Sequence, residues 1–339
     1  MINLISDTVT KPTPEMLEAM FRAEVGDDVF GEDPTINKLE RKVADLFGKE
    51  NALFCPSGTM TNQIALQIHT DRLTEIICEE TSHVYQSETS GYAYNARAGV
   101  HLIRGEFGKI NSNQVEEAIQ PNYDWVPKSA MVVLENTTNK GGGNFYTLDE
   151  IRKIKDVCRK NNLKLHLDGA RLFNALVETN ESTFDFGQEF DTISVCMSKG
   201  LGAPVGSLLI GDNEQIKRAR RLRKVMGGGM RQAGYLAAAC IFALDHNIDR
   251  LKEDHDKARL LGSSLQNCNY VEEVLPVKTN IVIARLSDDV NIPNFLNFLK
   301  SKGILATQFG KQIIRFVTHL DVSNTQIEQV TQVLFQFKN

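Results

Sequence analysis

The chain reads as an α/β protein, with a mostly parallel central sheet and a smaller C-terminal α+β domain. Two observations predict this. From residue 52 onward, short apolar runs of strand length alternate with helical stretches, the pattern of a parallel sheet. After residue 280 the order becomes β-α-β-β-α. A third observation concerns two central runs, Leu163–Asp168 and Thr192–Met197. Each leads into a charged residue and then glycine (Asp168-Gly, Lys199-Gly), as a buried strand does when it delivers a functional side chain at its tip.

The elements follow in chain order. Residues 1–34 are rich in turn signals (Lys11-Pro-Thr-Pro14, Gly26-Asp-Asp28, Gly31-Glu-Asp-Pro34) and read as an N-terminal arm with one short helix, outside the layers of the core. Residues 35–250 form the expected large domain. Its strands are Ala52–Cys55, Glu75–Cys78, Ala130–Glu135, Leu163–Asp168, Thr192–Met197 and Gly206–Ile210. Its clearest helices are Gly58–Ile68, Leu148–Asn161, Glu214–Val225 and Arg231–Asp245. A long helix, Ile248–Asn267, carries the boundary. Residues 251–339 form the small domain, with strands Asn280–Leu286, Ile304–Phe309 and Ile313–Thr318 and helices Ile292–Lys302 and Ser323–Phe337.

Composition narrows the function. The chain has 339 residues, 42% of them hydrophobic and 24% charged, with a net charge of −5. That balance gives no support to a general nucleic-acid or membrane-surface role. The longest apolar helical run, Tyr235–Leu244, falls well short of the ~20 residues that span a bilayer. The start lacks the basic and apolar regions of a signal peptide. Six scattered cysteines show no metal or redox spacing, so no metal is expected and a reduced, cytoplasmic protein is.

Asp168 and Lys199 together point to pyridoxal 5'-phosphate. The cofactor withdraws electrons only while its ring nitrogen stays protonated, and a buried carboxylate enforces that charge. Its aldehyde needs a primary amine, which among side chains only lysine supplies. Alone, Asp168 could simply cap a turn and Lys199 could be a solvated loop charge. Arg171 nearby, and the glycines after Lys199, shift the balance. Ser57-Gly58-Thr59 opens a helix, so its free N–H groups and dipole suit a phosphate. The bland alternative there is a plain cap. His83 follows a strand, where it could stack on the ring, exchange protons or be structural. Lys217–Lys224 holds six basic residues in eight, either a solvated helix face or a segment reaching a phosphate together with Gly227-Gly-Gly-Met-Arg231. Arg315 interrupts an apolar strand and could grip a carboxylate or sit on an exposed edge.

A set of motifs runs nearly end to end: Ser6-Asp-Thr-Val-Thr10, Val25-Gly-Asp-Asp-Val-Phe-Gly31, Ser57-Gly-Thr59, His83, Glu135-Asn-Thr137, Leu167-Asp-Gly-Ala-Arg171, Ser198-Lys-Gly-Leu-Gly202, Gly227-Gly-Gly-Met-Arg-Gln232 and Arg315-Phe-Val-Thr-His319. In this it resembles the low-specificity L-threonine aldolases, pyridoxal-phosphate lyases of the aspartate-aminotransferase fold (fold type I). The resemblance implies cleavage of L-threonine, L-allo-threonine and related β-hydroxy-α-amino acids to glycine and an aldehyde. It implies Lys199 as the Schiff-base lysine, Asp168 on the ring nitrogen, and Arg171 on the cofactor's phenolic oxygen or the substrate carboxylate. Gly58 and Thr59 fall to the phosphate, where the Ser57 hydroxyl adds a donor by its place in the turn, Ser6 and Arg315 to the substrate carboxylate, and His83 to ring stacking and acid–base work. It further implies a homo-oligomer, a dimer with shared sites of a kind that commonly pairs into tetramers in the family, in which Lys224 and Arg231 reach a neighbour's phosphate. Two positions depart from the family pattern. Thr138 stands where many relatives have histidine beside the substrate, and Phe30 where many have tyrosine. The competing expectations are an aromatic amino-acid β-eliminating lyase on the same fold and a non-catalytic pyridoxal-binding protein.

Overall fold

A computed structural model describes residues 1–338; residue 339, the last of the expected small domain, lies outside them. The strands are β1 (Ile2–Asn3), β2 (Asn51–Cys55), β3 (Thr74–Glu79), β4 (Gly99–Ile103), β5 (Lys128–Glu135), β6 (Lys164–Gly169), β7 (Thr192–Cys196), β8 (Ser207–Gly211), β9 (Val271–Val274), β10 (Ile281–Leu286), β11 (Ile304–Leu305), β12 (Thr307–Gly310) and β13 (Ile313–Val317). The helices are α1 (Pro14–Phe21), α2 (Pro34–Leu46), α3 (Gly58–His69), α4 (His83–Gln86), α5 (Gly91–Tyr94), α6 (Ser112–Ala118), α7 (Leu148–Lys160), α8 (Leu172–Thr179), α9 (Thr183–Glu189), α10 (Asn213–Val225), α11 (Gly234–His246), α12 (Leu251–Gln266), α13 (Ile292–Ser301) and α14 (Asn324–Leu334).

Seven strands form one sheet in the order β2-β8-β7-β6-β5-β3-β4. The pairs from β4 through β7 are parallel, while β8 runs antiparallel to both β7 and β2. The central strands are apolar because helices cover both faces: every residue of β7 and β8 is buried. Parallel strands put their C-terminal tips on one edge, where α/β proteins build their sites. Local signals set the helices. Thr147 and Glu150 close a reciprocal capping box at the start of α7, and Asp212 and Gln215 do the same for α10.

The second sheet is antiparallel, ordered β12-β13-β10-β9. It packs with α12, α13 and α14 into a separate apolar cluster that includes Ala258, Val282, Phe295 and Ile327. Leu251, at the start of α12, belongs instead to the large cluster around the main sheet, so this helix spans both.

The N-terminal segment departs from expectation. It is not an arm outside the core. β1 pairs in parallel with β11, Leu4 N donates to Leu305 O at 2.9 Å, and Ile2 and Leu4 are buried with the C-terminal cluster. The physical reason is an open edge on β11, whose backbone groups residues 2–4 satisfy. Met16, on α1, is buried in the large cluster. The strand β4, the strand β9 and several short helices also lacked a clear signal, because their runs are brief and partly exposed.

Candidate active site

The register of three parallel strands builds the site. Glu135 on β5 lies opposite Asp168 on β6, and Asp168 lies opposite Ser194 on β7. Paired residues share a face, so the three side chains form a row. Helix α3 covers that face. Thr61 and Ser194 share a 2.6 Å hydroxyl hydrogen bond, and Asn62 Nδ2 donates to Asp168 Oδ2 at 2.9 Å. Asp168 is 2% exposed, and its other oxygen accepts from Ala170 N. Burial, and then the charge of Asp168 beside it, push the Glu135 carboxyl up to about 7.

His83 opens α4 at the same edge. Its backbone N donates to Glu135 Oε2 at 3.0 Å, and its Nδ1 lies 2.9 Å from Glu88 Oε1. Glu88 is held in turn by Asn62 Nδ2 at 2.9 Å and Gln63 Nε2 at 2.7 Å. Burial alone would lower the His83 pKa, but the Glu88 hydrogen bond and the charges of Asp168, Glu88 and Glu135 overcome it and raise it. Ligand atoms of His83, Glu88 and Asp168 lie within 4.8 Å of one another, but all three take part in this hydrogen-bond network.

A cationic half faces this acidic one. Arg171 grips Asp7 at two points, with Nε and Nη2 each 2.7 Å from a carboxylate oxygen. Asn280 Nδ2 adds a third hydrogen bond to Asp7 at 3.1 Å. Burial would raise the Asp7 pKa; the charge and hydrogen bonds of Arg171, the charge of Lys199 and the Asn280 bond bring it down to about 2. Lys199 follows β7 in a turn whose carbonyl accepts from Gly202 N and from Thr10 Oγ1. Its Nζ forms no hydrogen bond or ion pair with any described residue.

Arg315 is 8% exposed and lies on β13, an inner strand, so it is not an edge arginine. Its Nη1 donates to Asn139 Oδ1 at 2.9 Å and its Nη2 to Ile5 O at 3.1 Å. Phe309 stacks beneath the guanidinium at 4.2 Å. Its Nε has no partner among the described residues, and no carboxylate pairs with it there. Burial first, and then the charge of Arg171, lower its pKa to about 10.

The remaining candidates divide. Ser57 caps α3, its Oγ accepting from Met60 N, and Thr59 is exposed beside it. Gly58 packs so closely on β7 that a Cβ there would stand 2.6 Å from Cys196 Sγ. Ser6 accepts from Thr8 within its own turn, next to the Ile5 carbonyl that Arg315 holds. Phe30 and Lys224 line a separate cavity of about 630 Å³, and Arg231 stands 5.7 Å from the Phe30 ring. No contact joins these three to Asp168 or Lys199. Half of the basic run is used in packing: Arg223 pairs with Asp28 and with Phe54 O, Arg220 with Glu40, and Arg218 with the end of α3.

Thr138 was expected to border the substrate. It is 1% exposed, and its hydroxyl donates to Phe107 O at 2.9 Å and lies 3.2 Å from Asn144 O. The backbone takes up its polar atom. The neighbour that reaches the site is Asn139, through Arg315.

Sequence reasoning gave no role to Asp7, Asn62, Glu88, Asn139 and Asn280. Asp7 stood inside a quoted motif beside Ser6. Asn62 lies one helical turn beyond Gly58, the spacing that keeps two residues on one face. Glu88, Asn139 and Asn280 carried no local signal.

This fold, with a carboxylate, a free lysine and helix N–H groups at one sheet edge, matches a known class. The family model for beta-eliminating lyases matches residues 3–289, and the chain belongs to that family. The chain is 41% identical to the low specificity L-threonine aldolase of Escherichia coli K12, over 97% of each chain. It is 40% identical to a probable low-specificity L-threonine aldolase of Arabidopsis thaliana, covering 97% of this chain and 95% of that one. A solved structure of Leishmania major threonine aldolase superposes with a TM-score of 0.86 at 22% identity over 99% of both chains, which places the fold.

Proposed function

We propose that the chain is a pyridoxal 5'-phosphate-dependent L-threonine aldolase of low specificity, cleaving L-threonine and L-allo-threonine to glycine and acetaldehyde. The observation that carries this reading is Arg315. A buried guanidinium with no acid partner is poised for an anion, and an α-amino acid supplies a carboxylate.

The residues fit the cofactor. Asp168 is a buried acceptor held in place by Asn62 and Ala170 N, suited to a protonated ring nitrogen. Lys199 has an amine with nothing to hold it. The first turn of α3 offers backbone N–H groups beside Gly58, where a side chain would not fit. When bound, pyridoxal 5'-phosphate supplies the electron sink for the bond broken at the substrate's Cα.

The protein's part is to hold and orient. Arg315, with Ser6 beside it, fixes the carboxylate of the amino acid. Arg171 is already committed to Asp7 through Nε and Nη2, which leaves Nη1 for the cofactor or substrate. His83, with Nδ1 directed at Glu88, keeps Nε2 to accept the β-hydroxyl proton. Positioning selects Cα–Cβ cleavage over other reactions open to the same cofactor.

The surface group of Phe30, Lys224 and Arg231 supports a homo-oligomer in which these residues complete a neighbour's phosphate site. The six free, buried cysteines suit a cytoplasmic enzyme, and no helix among the described residues is long and apolar enough to cross a membrane.

The test is to incubate the purified protein with L-threonine, L-allo-threonine and D-threonine and quantify acetaldehyde and glycine. Release of ammonia and pyruvate instead would identify a β-eliminating lyase, and no turnover would leave a binding protein. Borohydride treatment followed by peptide mapping should label Lys199.

A further inference from the structure

Behind Asp168 runs a buried chain of polar side chains that the reading above does not use. His166 stands two residues before Asp168 on β6, on the same face, and is fully buried. Its Nε2 is 3.2 Å from Asn62 Oδ1, and its Nδ1 is 2.8 Å from Thr192 Oγ1. Thr192 Oγ1 is in turn 2.9 Å from Nε2 of His69, at the partly exposed end of α3. Asn62 Nδ2 closes the chain, 2.9 Å from both Asp168 Oδ2 and Glu88 Oε1.

The direction of every bond follows from one end. Carboxylate oxygens accept, so Asn62 must turn its amide nitrogen to Asp168 and Glu88, one N–H to each. Its oxygen then faces His166 and also accepts, so His166 Nε2 carries a hydrogen. Burial pushes the His166 pKa down to about 4, which leaves a neutral ring with that single N–H. His166 Nδ1 therefore accepts. The Thr192 carbonyl 3.1 Å away cannot donate, so the Thr192 hydroxyl does. With its proton spent, that hydroxyl accepts from His69 Nε2. Burial also holds His69 neutral.

We propose that His69, Thr192, His166 and Asn62 form a one-directional hydrogen-bond relay that aims Asp168 at the cofactor's ring nitrogen, with Thr192 and His166 as positioning residues. The inference rests on the cofactor reading above. A neutral relay orients the carboxylate through dipoles alone. A charged His166 would compete with the cationic ring for the same anion. The charged groups around the relay are Asp168, Glu88, His83 and Glu135 at the inner end, and Asp191, Lys164 and Arg218 near His69. Because one Asn62 amide serves both carboxylates, it also fixes His83, through Glu88, relative to Asp168.

The direct test is NMR of the holoenzyme labelled with 15N-histidine. His166 and His69 should both be neutral, with the proton on Nε2, between about pH 6 and 8. A proton on His166 Nδ1, or a charged His166 ring in that range, overturns the relay. The second test removes one link with little change in shape. Thr192→Val should lower kcat for threonine cleavage about tenfold, the scale seen when a partner behind a functional ligand is lost, with KM nearly unchanged. It should also move the pH dependence of the bound cofactor's visible absorption, and Thr192→Ser should restore both. Wild-type behaviour of Thr192→Val in both readouts overturns the proposal. If that variant does not fold, the histidine tautomers decide alone. A wild-type protein that cleaves no threonine isomer defeats the functional reading, while tautomers and absorption still judge the relay.

Discussion

Asp7 and Arg171, 164 residues apart in sequence, meet as a two-point ion pair with both N···O distances at 2.7 Å and almost no exposure. The contact ties the first turn of the chain to the tip of the central sheet, within electrostatic reach of Lys199 and Arg315.

Removing one partner should be costly. Asp7→Asn leaves a buried guanidinium without its anion, and should lower the unfolding free energy by about 3–5 kcal/mol in urea titrations. Acid should expose the same link. The folded-state pKa of Asp7, about 2, lies below the unfolded value of ~3.9. The stabilisation is therefore complete above about pH 4 and fades as pH falls toward 2. The stability gap between wild type and Asp7→Asn should shrink over that range; a constant gap would disprove the linkage.

His83 should govern the rise of activity with pH. Its pKa is raised above the usual ~6.5, and it must be neutral to accept a proton. The kcat/KM for threonine should climb with pH, with a midpoint above about 6.5. His83→Asn should remove that limb and reduce kcat about a hundredfold or more. A midpoint unmoved in the variant would assign the step to another group.

Arg315→Lys keeps the charge but loses the planar fork. The KM for threonine should rise about tenfold, with a smaller change in kcat. An unchanged KM would mean that the substrate carboxylate binds elsewhere.

Thr138 should matter for folding and little for catalysis. Thr138→Val strips the hydroxyl from two backbone carbonyls and should cost about 1–3 kcal/mol of stability. The ratio of threonine to allo-threonine cleavage should stay the same. A changed ratio would return residue 138 to the substrate.

Gly58→Ala tests the proposed phosphate hold. Its Cβ would stand 2.6 Å from Cys196 Sγ, so the turn must shift. Cofactor retention on dialysis should weaken about tenfold, read as lost visible absorption. Full retention would place the phosphate away from this turn.

The sequence made the strand tips legible. Leu163–Asp168 and Thr192–Met197 announced themselves because apolar runs ending in charge and glycine are local patterns, and the observed strands match to within a residue or two. Glu88, Asn139 and Asn280 were invisible for the opposite reason. Each is an ordinary polar residue whose importance lies in what stands across from it. The direction of the Thr138 hydroxyl was not legible either, because adjacency in a motif does not say where a hydroxyl points; it turns to the carbonyls of Phe107 and Asn144.

By itself, then, the sequence determined the alternating architecture, the strands that carry Asp168 and lead to Lys199, and the family. These follow from periodicity and residue chemistry within short windows. Only the tertiary structure decided that Asp7 occupies Arg171, that Arg315 is left without an acid, and that one amide of Asn62 serves two carboxylates. Those are pairings across long stretches of chain, and burial alone turns them from solvated side chains into strong, directed contacts.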